Sequence, residues 1–191
     1  EANDKLLETY NRERTFASDE NILNSARATN FMTPKSEVET LFRSEVLRLA
    51  RDAPFARKLI NSGRLSQPCA YAPYTAQDNN PGKLTSGNAL VDAPLADGSW
   101  LSEKILGKFL LLGFGAIELP CLEGVERLGI GSETRDYASV LPVGELAFER
   151  YGRGTAYLVR PDGHVAASFD RHSIGRVRQA LNECLGGDSS R

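Results

Sequence analysis

The sequence predicts an α/β fold in which a mixed β-sheet is covered by helices and preceded by an N-terminal helical arm. Residues 108–115 (KFLLLGFG) form a continuous apolar run, which is typical of a buried central strand. Residues 155–159 and 164–169 flank the turn signal RPDG at 160–163, so they predict a hairpin. Amphipathic stretches before and after these strands supply the covering helices.

The composition is that of an ordinary globular protein. Of 191 residues, 41% are hydrophobic and 25% are charged, and the net charge is -2. A strong polycation is excluded, so nucleic acid is not an expected partner. No apolar run approaches the roughly 18 residues that span a bilayer, so we expect no membrane partner.

The first residues lack a signal-peptide pattern, and we therefore expect a cytoplasmic location. The chain begins at Glu1, and its single methionine is Met32. We therefore expect it to be a fragment of a longer protein.

The N-terminal arm is predicted as a helix from Glu1 to about Ser25. Leu6, Leu7, Tyr10 and Ala17 have roughly helical spacing, but apolar residues are few for this length. We therefore expect the arm to dock on another part of a longer protein. Residues 24–33 are predicted as a polar connector that ends at Pro34, which disfavours helix at the preceding residue.

A second helix is predicted to begin after Ser36. Ser36 and Glu39 form a capping box, in which each side chain accepts a hydrogen bond from a free backbone amide. Pro54 restarts the chain as a short helix that ends near Gly63. The long helix presents one predicted apolar face, made of Val38, Leu41, Phe42, Val46, Leu49 and Ala50.

Residues 64–94 predict a long irregular segment, because they contain four prolines and several Asn and Gly residues. Such a segment is either a surface connector or a functional loop. Asp97-Gly98 then predicts a turn before the central strand.

After the central strand the pattern predicts a helix over 116–127, although Pro120 lies inside it, and a short strand over 139–143. The last helix is predicted to end at Gly186-Gly187. Its apolar stripe consists of Ile174, Val177, Leu181, Cys184 and Leu185.

The residues by themselves predict no self-contained active site. Cys69, Cys121 and Cys184 are far apart and form no CxxC pair, so we expect reduced and mostly buried thiols without a metal site. His164 and His172 have no identifiable partner for general-base work, so structural or exposed roles are expected.

The remaining chemical groups also predict no site. The glycine pairs at 129/131 and 152/154 are fragments of phosphate-binding patterns and are expected to form turns. The dispersed carboxylates are expected to be solvated surface charges. They are Asp92, Asp97, Glu118, Glu123, Glu126 and Asp162.

Two stretches resemble the class A FAD-dependent aromatic hydroxylases. In residues 6–34, the pattern LL-x-x-Y-x-x-E-R resembles the exit from that family's FAD-binding domain. Residues 97–109 (DGSWLSEKILGKF), 110–114 and 157–167 (YLVRPDGHVAA) are similar to its C-terminal domain, most closely in the branch of phenol hydroxylase and 3-(3-hydroxyphenyl)propionate hydroxylase-like enzymes.

The resemblance implies that residues 1–35 end the FAD-binding domain of a parent protein. Residues 36–191 would then be a thioredoxin-like C-terminal domain, with a helical and long-loop lead-in over 36–94. The parent would be an FAD- and NAD(P)H-dependent aromatic-ring monooxygenase, and this part would be a non-catalytic structural and oligomerisation domain. Its implied partners are the FAD-binding and substrate domains of the same chain, and a second copy in a homodimer.

The same resemblance carries no catalytic, cofactor-binding or metal-binding residue onto this chain. A working thioredoxin needs a cysteine pair after the central strand, but residues 115–118 (GAIE) contain none. It also needs a cis-proline before the hairpin strand, where Ala156 stands here. Two alternatives stay open: a redox protein that uses the lone Cys121, and a protein-interaction module.

Overall fold

The computed structural model describes residues 4–60, 67–71, 84–105, 107–132 and 136–187. The chain divides into two compact units. The helical unit is Glu13–Cys69, and the sheet unit combines Glu1–Arg12 with Ala70–Arg191. The predicted domain boundaries remain a prediction, because compactness within one chain does not test which parent domain each part belongs to.

Helix α1 is longer than its sequence pattern predicted. It spans Asp4–Met32, so the expected polar connector over residues 24–33 is wrong. Residues 24–32 contain no glycine or proline, and nothing in them interrupts the backbone ladder. The helix ends one residue before Thr33-Pro34, where the proline ring disfavours helical geometry.

Helices α2 (Glu37–Asp52) and α3 (Pro54–Ile60) begin where the sequence predicted. The Ser36 hydroxyl accepts the Glu39 amide at 3.2 Å, and the Glu39 carboxylate accepts the Ser36 amide at 3.1 Å. Both halves of the predicted capping box are therefore present. The predicted end of α3 near Gly63 lies outside the described residues.

The sheet unit is built on five strands: β1 (Phe109–Phe114), β2 (Val125–Ile130), β3 (Ala138–Val140), β4 (Thr155–Val159) and β5 (Val165–Asp170). Their spatial order is β3-β2-β1-β4-β5. The first three strands are parallel, and β4 and β5 are antiparallel to their neighbours. The predicted central strand and hairpin are confirmed, as is the α/β, thioredoxin-like fold class with its mixed sheet and preceding helix.

The predicted helix over 116–127 is wrong. Residues 116–119 lie in no helix, with Ile117 and Leu119 buried and Ala116 and Glu118 exposed, and the chain then enters β2 at Val125. A burial period of two is that of a strand. Pro120 explains why no helix forms here, because proline cannot donate a helical hydrogen bond and disfavours helical geometry at Leu119.

Strand alternation divides the core into two clusters, one on each face of the sheet. On the first face, Phe114 stacks on Tyr151 with ring centroids 4.3 Å apart. Tyr151 lies in helix α4 (Leu146–Tyr151), which the sequence analysis did not predict. On the second face, residues 117–122 and helix α5 (Val177–Cys184) cover the strands.

Helix α5 follows the predicted pattern in most respects. A single 3-10 turn at Ile174–Arg176 leads into it, and Val177 is fully buried. Gly186 has φ +77°, and the Gly187 amide donates to the Asn182 carbonyl at 2.8 Å, which ends the helix as predicted. Leu185 is the exception to the stripe, because 47% of it is exposed.

The described parts of the irregular segment 64–94 contain no helix or strand, as predicted, but they are tied to the sheet. Ala89 pairs with His164 next to β5, and the Gly87 amide donates to the Val165 carbonyl of β5 at 2.7 Å. Among the described residues, no helix is long and apolar enough to cross a membrane.

Candidate functional site

The loop that follows β1 is where a working thioredoxin would carry its thiol pair. Here the backbone turns at Gly115, which has φ +73°, and continues without helix or strand until β2. Ile117, Leu119 and Leu122 insert into the core on the second face of the sheet. This loop segment, residues 115–122, therefore serves as a packing element.

Gly113 in β1 makes this packing possible. A Cβ atom at this position would lie 2.9 Å from Ile117 Cγ2 and 2.9 Å from Leu119 Cδ2, which is closer than real side-chain contacts. The glycine in the otherwise bulky run FLLLGF thus leaves the space into which the loop segment packs.

Two side chains, one on β2 and one just before β3, hold the loop segment in place. Arg127 of β2 donates to the Leu119 carbonyl at 3.2 Å and to the Asp136 carbonyl at 3.3 Å. Tyr137 donates its hydroxyl to the Ile117 carbonyl at 2.9 Å, and its ring lies 5.2 Å from the Arg127 guanidinium carbon. Sequence reasoning missed both residues, although the alternation at 116–119 was a signal that the segment is extended.

Cys121 lies in this region as an exposed free thiol. It is not at a helix N-terminus, because no helix lies between β1 and β2, so one usual means of activating a thiolate is missing. Cys69 and Cys184 are reduced thiols and half-buried. The Cys69 thiol donates to a Glu20 carboxylate oxygen at 2.8 Å within the helical unit.

Ala156 stands at the position that a cis-proline occupies in a working thioredoxin. It is fully buried in β4, where it pairs with Gly113 of β1 and Phe169 of β5. Its neighbour Thr155 donates its hydroxyl to the Tyr151 carbonyl at 2.9 Å. These residues form part of the core and do not line a substrate groove.

Of the two glycine pairs that could have approached a phosphate, the pair at 129/131 is filled by the chain itself, whereas a Cβ atom at Gly154 would meet nothing within 4 Å. A Cβ atom at Gly129 would lie 2.8 Å from Ser132 Cβ, and one at Gly131 would lie 2.7 Å from the Phe148 ring. A dinucleotide needs such glycine spaces open, so that backbone amides can contact its pyrophosphate. The space at Gly129 and Gly131 therefore does not fit a pyrophosphate.

Two of the dispersed carboxylates anchor loops rather than standing alone in solvent. Asp92 accepts hydrogen bonds from the Ala93 and Ser102 amides at 2.9 Å and from the Ser102 hydroxyl at 2.7 Å. Burial raises the pKa of Asp92, but these hydrogen bonds and the Arg150 guanidinium outweigh it, so the pKa is lowered. Asp97 accepts from Ser99 and Lys104, and these contacts likewise hold its pKa low.

The hairpin turn brings Asp162 and His164 together. His164 Nδ1 lies 3.5 Å from Asp162 Oδ1, and Arg160 donates to Asp162 Oδ2 at 2.7 Å. His172 is exposed and lies before α5. Glu118, Glu123 and Glu126 are also exposed, and Glu126 pairs with Lys108.

The described residues bring no nucleophile, base and oxyanion donors to one point, and they contain no cluster of His, Cys, Asp and Glu that could hold a metal ion. The position that carries the chemistry of a working thioredoxin is instead occupied by packed side chains and by the hydrogen bonds of Arg127 and Tyr137.

No protein-family model and no curated protein matches this chain. Solved structures do match its fold. The flavin-dependent monooxygenase PieE, solved in complex with FAD and substrate, matches 98% of this chain at 18% identity with a TM-score of 0.59. OxyS anhydrotetracycline hydroxylase from Streptomyces rimosus matches 97% at 21% identity with a TM-score of 0.61. The rebeccamycin biosynthetic enzyme RebC, solved with reduced flavin, matches 98% at 18% identity with a TM-score of 0.56.

This chain covers only part of each of these proteins: 41% of PieE, 36% of OxyS and 37% of RebC. At such identities the likeness shows the fold alone. The chain therefore has the fold of a portion of flavin-dependent monooxygenases.

Proposed function

We propose that this chain is the non-catalytic C-terminal structural and oligomerisation domain of an FAD- and NAD(P)H-dependent aromatic-ring monooxygenase of the phenol hydroxylase branch. The observation that carries the proposal is the match of nearly the whole chain to part of three flavin enzymes. In addition, the loop after β1, where a working thioredoxin carries its thiol pair, is filled by packed side chains. In this role the flavin chemistry belongs to other parts of a cytoplasmic parent protein.

The helical unit supports a docking role. On α2, Val46 and Ala50 are buried, whereas Val38, Leu41 and Phe42 are 77%, 63% and 58% exposed. In the first part of α1, which belongs to the sheet unit, Leu7 and Tyr10 are 56% and 64% exposed. Apolar side chains spaced along helical faces favour contact with another protein surface. We assign that surface to the FAD-binding and substrate domains of the same parent chain.

Titration of the purified chain with FAD tests the non-catalytic assignment. We expect the flavin fluorescence and absorbance to stay those of free FAD, because the spaces at Gly129 and Gly131 are already occupied by side chains. Stoichiometric binding at micromolar FAD would contradict the proposal. Expression with the coding sequence upstream of Glu1 should instead yield a yellow protein whose NAD(P)H oxidation is stimulated by a phenolic compound.

The alternative of a redox protein that uses Cys121 has an exposed thiol in its favour. Against it, this thiol lies in the region fixed by Arg127 and Tyr137, without a cysteine partner among the described residues. Peroxidase and disulfide-reductase assays on the wild type and on Cys121→Ser decide the question. We expect no difference between them, and thiol-dependent turnover that disappears in the variant would support the alternative.

A further inference from the structure

An exposed apolar face lies on a small ribbon of three extended segments in the sheet unit. The segments are residues 93–96, 99–101 and 141–143. Pro94 lies opposite Trp100, and Leu95 lies opposite Pro142, each as an antiparallel pair. The backbone hydrogen bonds that hold the ribbon are Leu101 N to Ala93 O at 2.9 Å, Leu95 N to Ser99 O at 2.9 Å, Val143 N to Pro94 O at 3.1 Å and Ala96 N to Leu141 O at 2.8 Å.

This register fixes which side chains of the ribbon point outward. Leu95 is only 2% exposed, so its side chain faces the core. Because neighbours along a strand alternate and cross-strand partners share a face, Pro94 faces the opposite way together with Trp100 and Val143. Trp100, Val143 and Leu141 are accordingly 48%, 50% and 65% exposed. We call this surface the ribbon face, and it consists of Pro94, Ala96, Trp100, Leu141 and Val143.

The acidic residues that follow the ribbon segments in sequence already have basic partners. Asp97 lies 2.9 Å from Lys104 Nζ, and Glu145 lies 2.6 Å from Arg153 Nη2. Each pair contributes no net charge. An apolar surface therefore complements the ribbon face better than a charged one, since burying it leaves both ion pairs at the border intact.

The ribbon face is too small to hold a separate protein by itself. The exposed parts of Trp100, Leu141 and Val143 amount to roughly 300 Å², if a large side chain has about 150–250 Å² of surface. A stable complex of separate proteins buries about 800 Å² on each partner. A domain of the same chain needs less contact area, because the linker holds it at an effective concentration of about millimolar. The size of the face therefore favours a tethered partner over a second copy.

The lengths of the matched structures indicate where such a partner lies. This chain covers 41%, 36% and 37% of the three flavin-dependent monooxygenases, so more than half of each lies outside the match. We propose that the ribbon face docks the sheet unit on an apolar surface of the FAD-binding domain of the same parent chain. This inference rests on the proposed function, and it adds a second docking surface to the one on α1 and α2.

Hydroxyl-radical footprinting read by mass spectrometry tests this contact. The parent chain, expressed with the coding sequence upstream of Glu1 and loaded with FAD, is compared with the isolated 191-residue chain. We expect the labelling rates of Trp100 and Leu141 to be about fivefold lower in the parent, because docking removes these side chains from water. Leu185, which follows α5 and is 47% exposed, should be labelled equally in both proteins.

Phe42 of α2 is read in the same experiment and separates this inference from the proposed function. If Trp100 is labelled equally in both proteins while Phe42 is protected in the parent, the ribbon-face contact is refuted and the docking of the helices stands. A parent that binds no FAD would contradict the proposed function, and this inference would fall with it. Protection of Trp100 in the isolated chain that rises with protein concentration would assign the face to a second copy and overturn the proposal.

Val143→Asp places a carboxylate in the proposed contact. In the parent it should raise the labelling rate of Trp100 to that of the isolated chain. In the isolated chain it should change the free energy of unfolding little, because the Val143 side chain is half-exposed. Leu185→Asp is the matched control and should leave Trp100 protected in the parent. Full protection of Trp100 in Val143→Asp, or loss of protection in Leu185→Asp, would refute the contact.

Discussion

Arg127 and Tyr137 illustrate how a few side chains decide what the sheet unit can do. Both contact the backbone of the loop segment rather than one another's polar atoms, and they fix residues 115–122 as part of the core. Neither belongs to a sequence motif, and Arg127 lay within a predicted helix. Their role depends on which backbone carbonyls the fold brings near them, and a local pattern does not contain that information.

Removing the Tyr137 hydroxyl should destabilise the sheet unit. In Tyr137→Phe the half-buried Ile117 carbonyl loses its 2.9 Å donor, so the free energy of unfolding should fall by about 1 kcal/mol. Urea denaturation measures this change. Tyr10→Phe removes a hydroxyl from a side chain that is 64% exposed and should be nearly neutral. Equal losses in the two variants would rule out a specific tether at Tyr137.

Asp92 should make stability depend on pH. Its pKa is lower in the folded chain than its ordinary value of 3.8, so its ionised form stabilises the fold above that value. The contribution is lost as the pH falls through the lowered pKa, below about pH 4.

Urea denaturation of Asp92→Asn and the wild type between about pH 7 and about pH 3 measures this contribution. The two proteins should differ at neutral pH and converge in acid. Glu123→Gln, at an exposed carboxylate, should follow the wild type throughout. If the difference in the free energy of unfolding between Asp92→Asn and the wild type stays constant with pH, the substitution acts through altered packing and not through the lost charge.

At the scale of elements, local signals predicted where most helices and strands begin, but they wrongly predicted a helix over residues 116–127. The Ser36 cap, Pro54, the apolar run 109–114 and the RPDG turn all act within a few residues, and each structure formed as predicted. Residues 116–127 failed because helical and extended spacing both fit the short apolar pattern. Strand pairing selected the extended form for the end of this stretch, because residues 125–127 belong to β2, which pairs with β1 along its whole length.

The cap of α2 offers a test at this scale. Ser36→Ala removes the acceptor of the Glu39 amide, and it should cost about 1 kcal/mol in the free energy of unfolding. Ser44→Ala, within the same helix, replaces an exposed serine whose hydroxyl bonds the Thr40 carbonyl, and it should cost much less or stabilise. Thermal denaturation followed by circular dichroism gives both values. A Ser44→Ala loss as large as that of Ser36→Ala would argue against capping as the cause.

At the scale of the whole molecule, the two units differ in how completely they bury their apolar residues. The sheet unit has a core cluster on each face of its sheet. The helical unit buries Val46 and Ala50 of α2 but leaves Val38, Leu41, Phe42 and Leu49 exposed. The predicted single apolar face of α2 is therefore only half used within this chain, which agrees with the docking role proposed for it.

The exposed half of this face should cause self-association of the isolated chain. We expect light scattering to show concentration-dependent association that Phe42→Ser weakens about tenfold, because the phenyl ring is 58% exposed on α2. Leu141→Ser alters a side chain that is 65% exposed in the sheet unit, and it should leave association unchanged. A stronger effect at Leu141 would place the adhesive surface on the sheet unit instead.

The sequence by itself determined the α/β class, the buried central strand, the hairpin and the capped helix α2, because each depends on periodicity or on hydrogen bonds between near neighbours. It also excluded a thiol pair after β1, since residues 115–118 contain no cysteine. Only the tertiary structure decided that this place is filled, because the packing of Ile117 and Leu119 against Gly113 needs the strands assembled first. It also placed Tyr71, Asp162 and His164 together from distant parts of the chain, a juxtaposition that depends on strand pairing and that no local pattern contains.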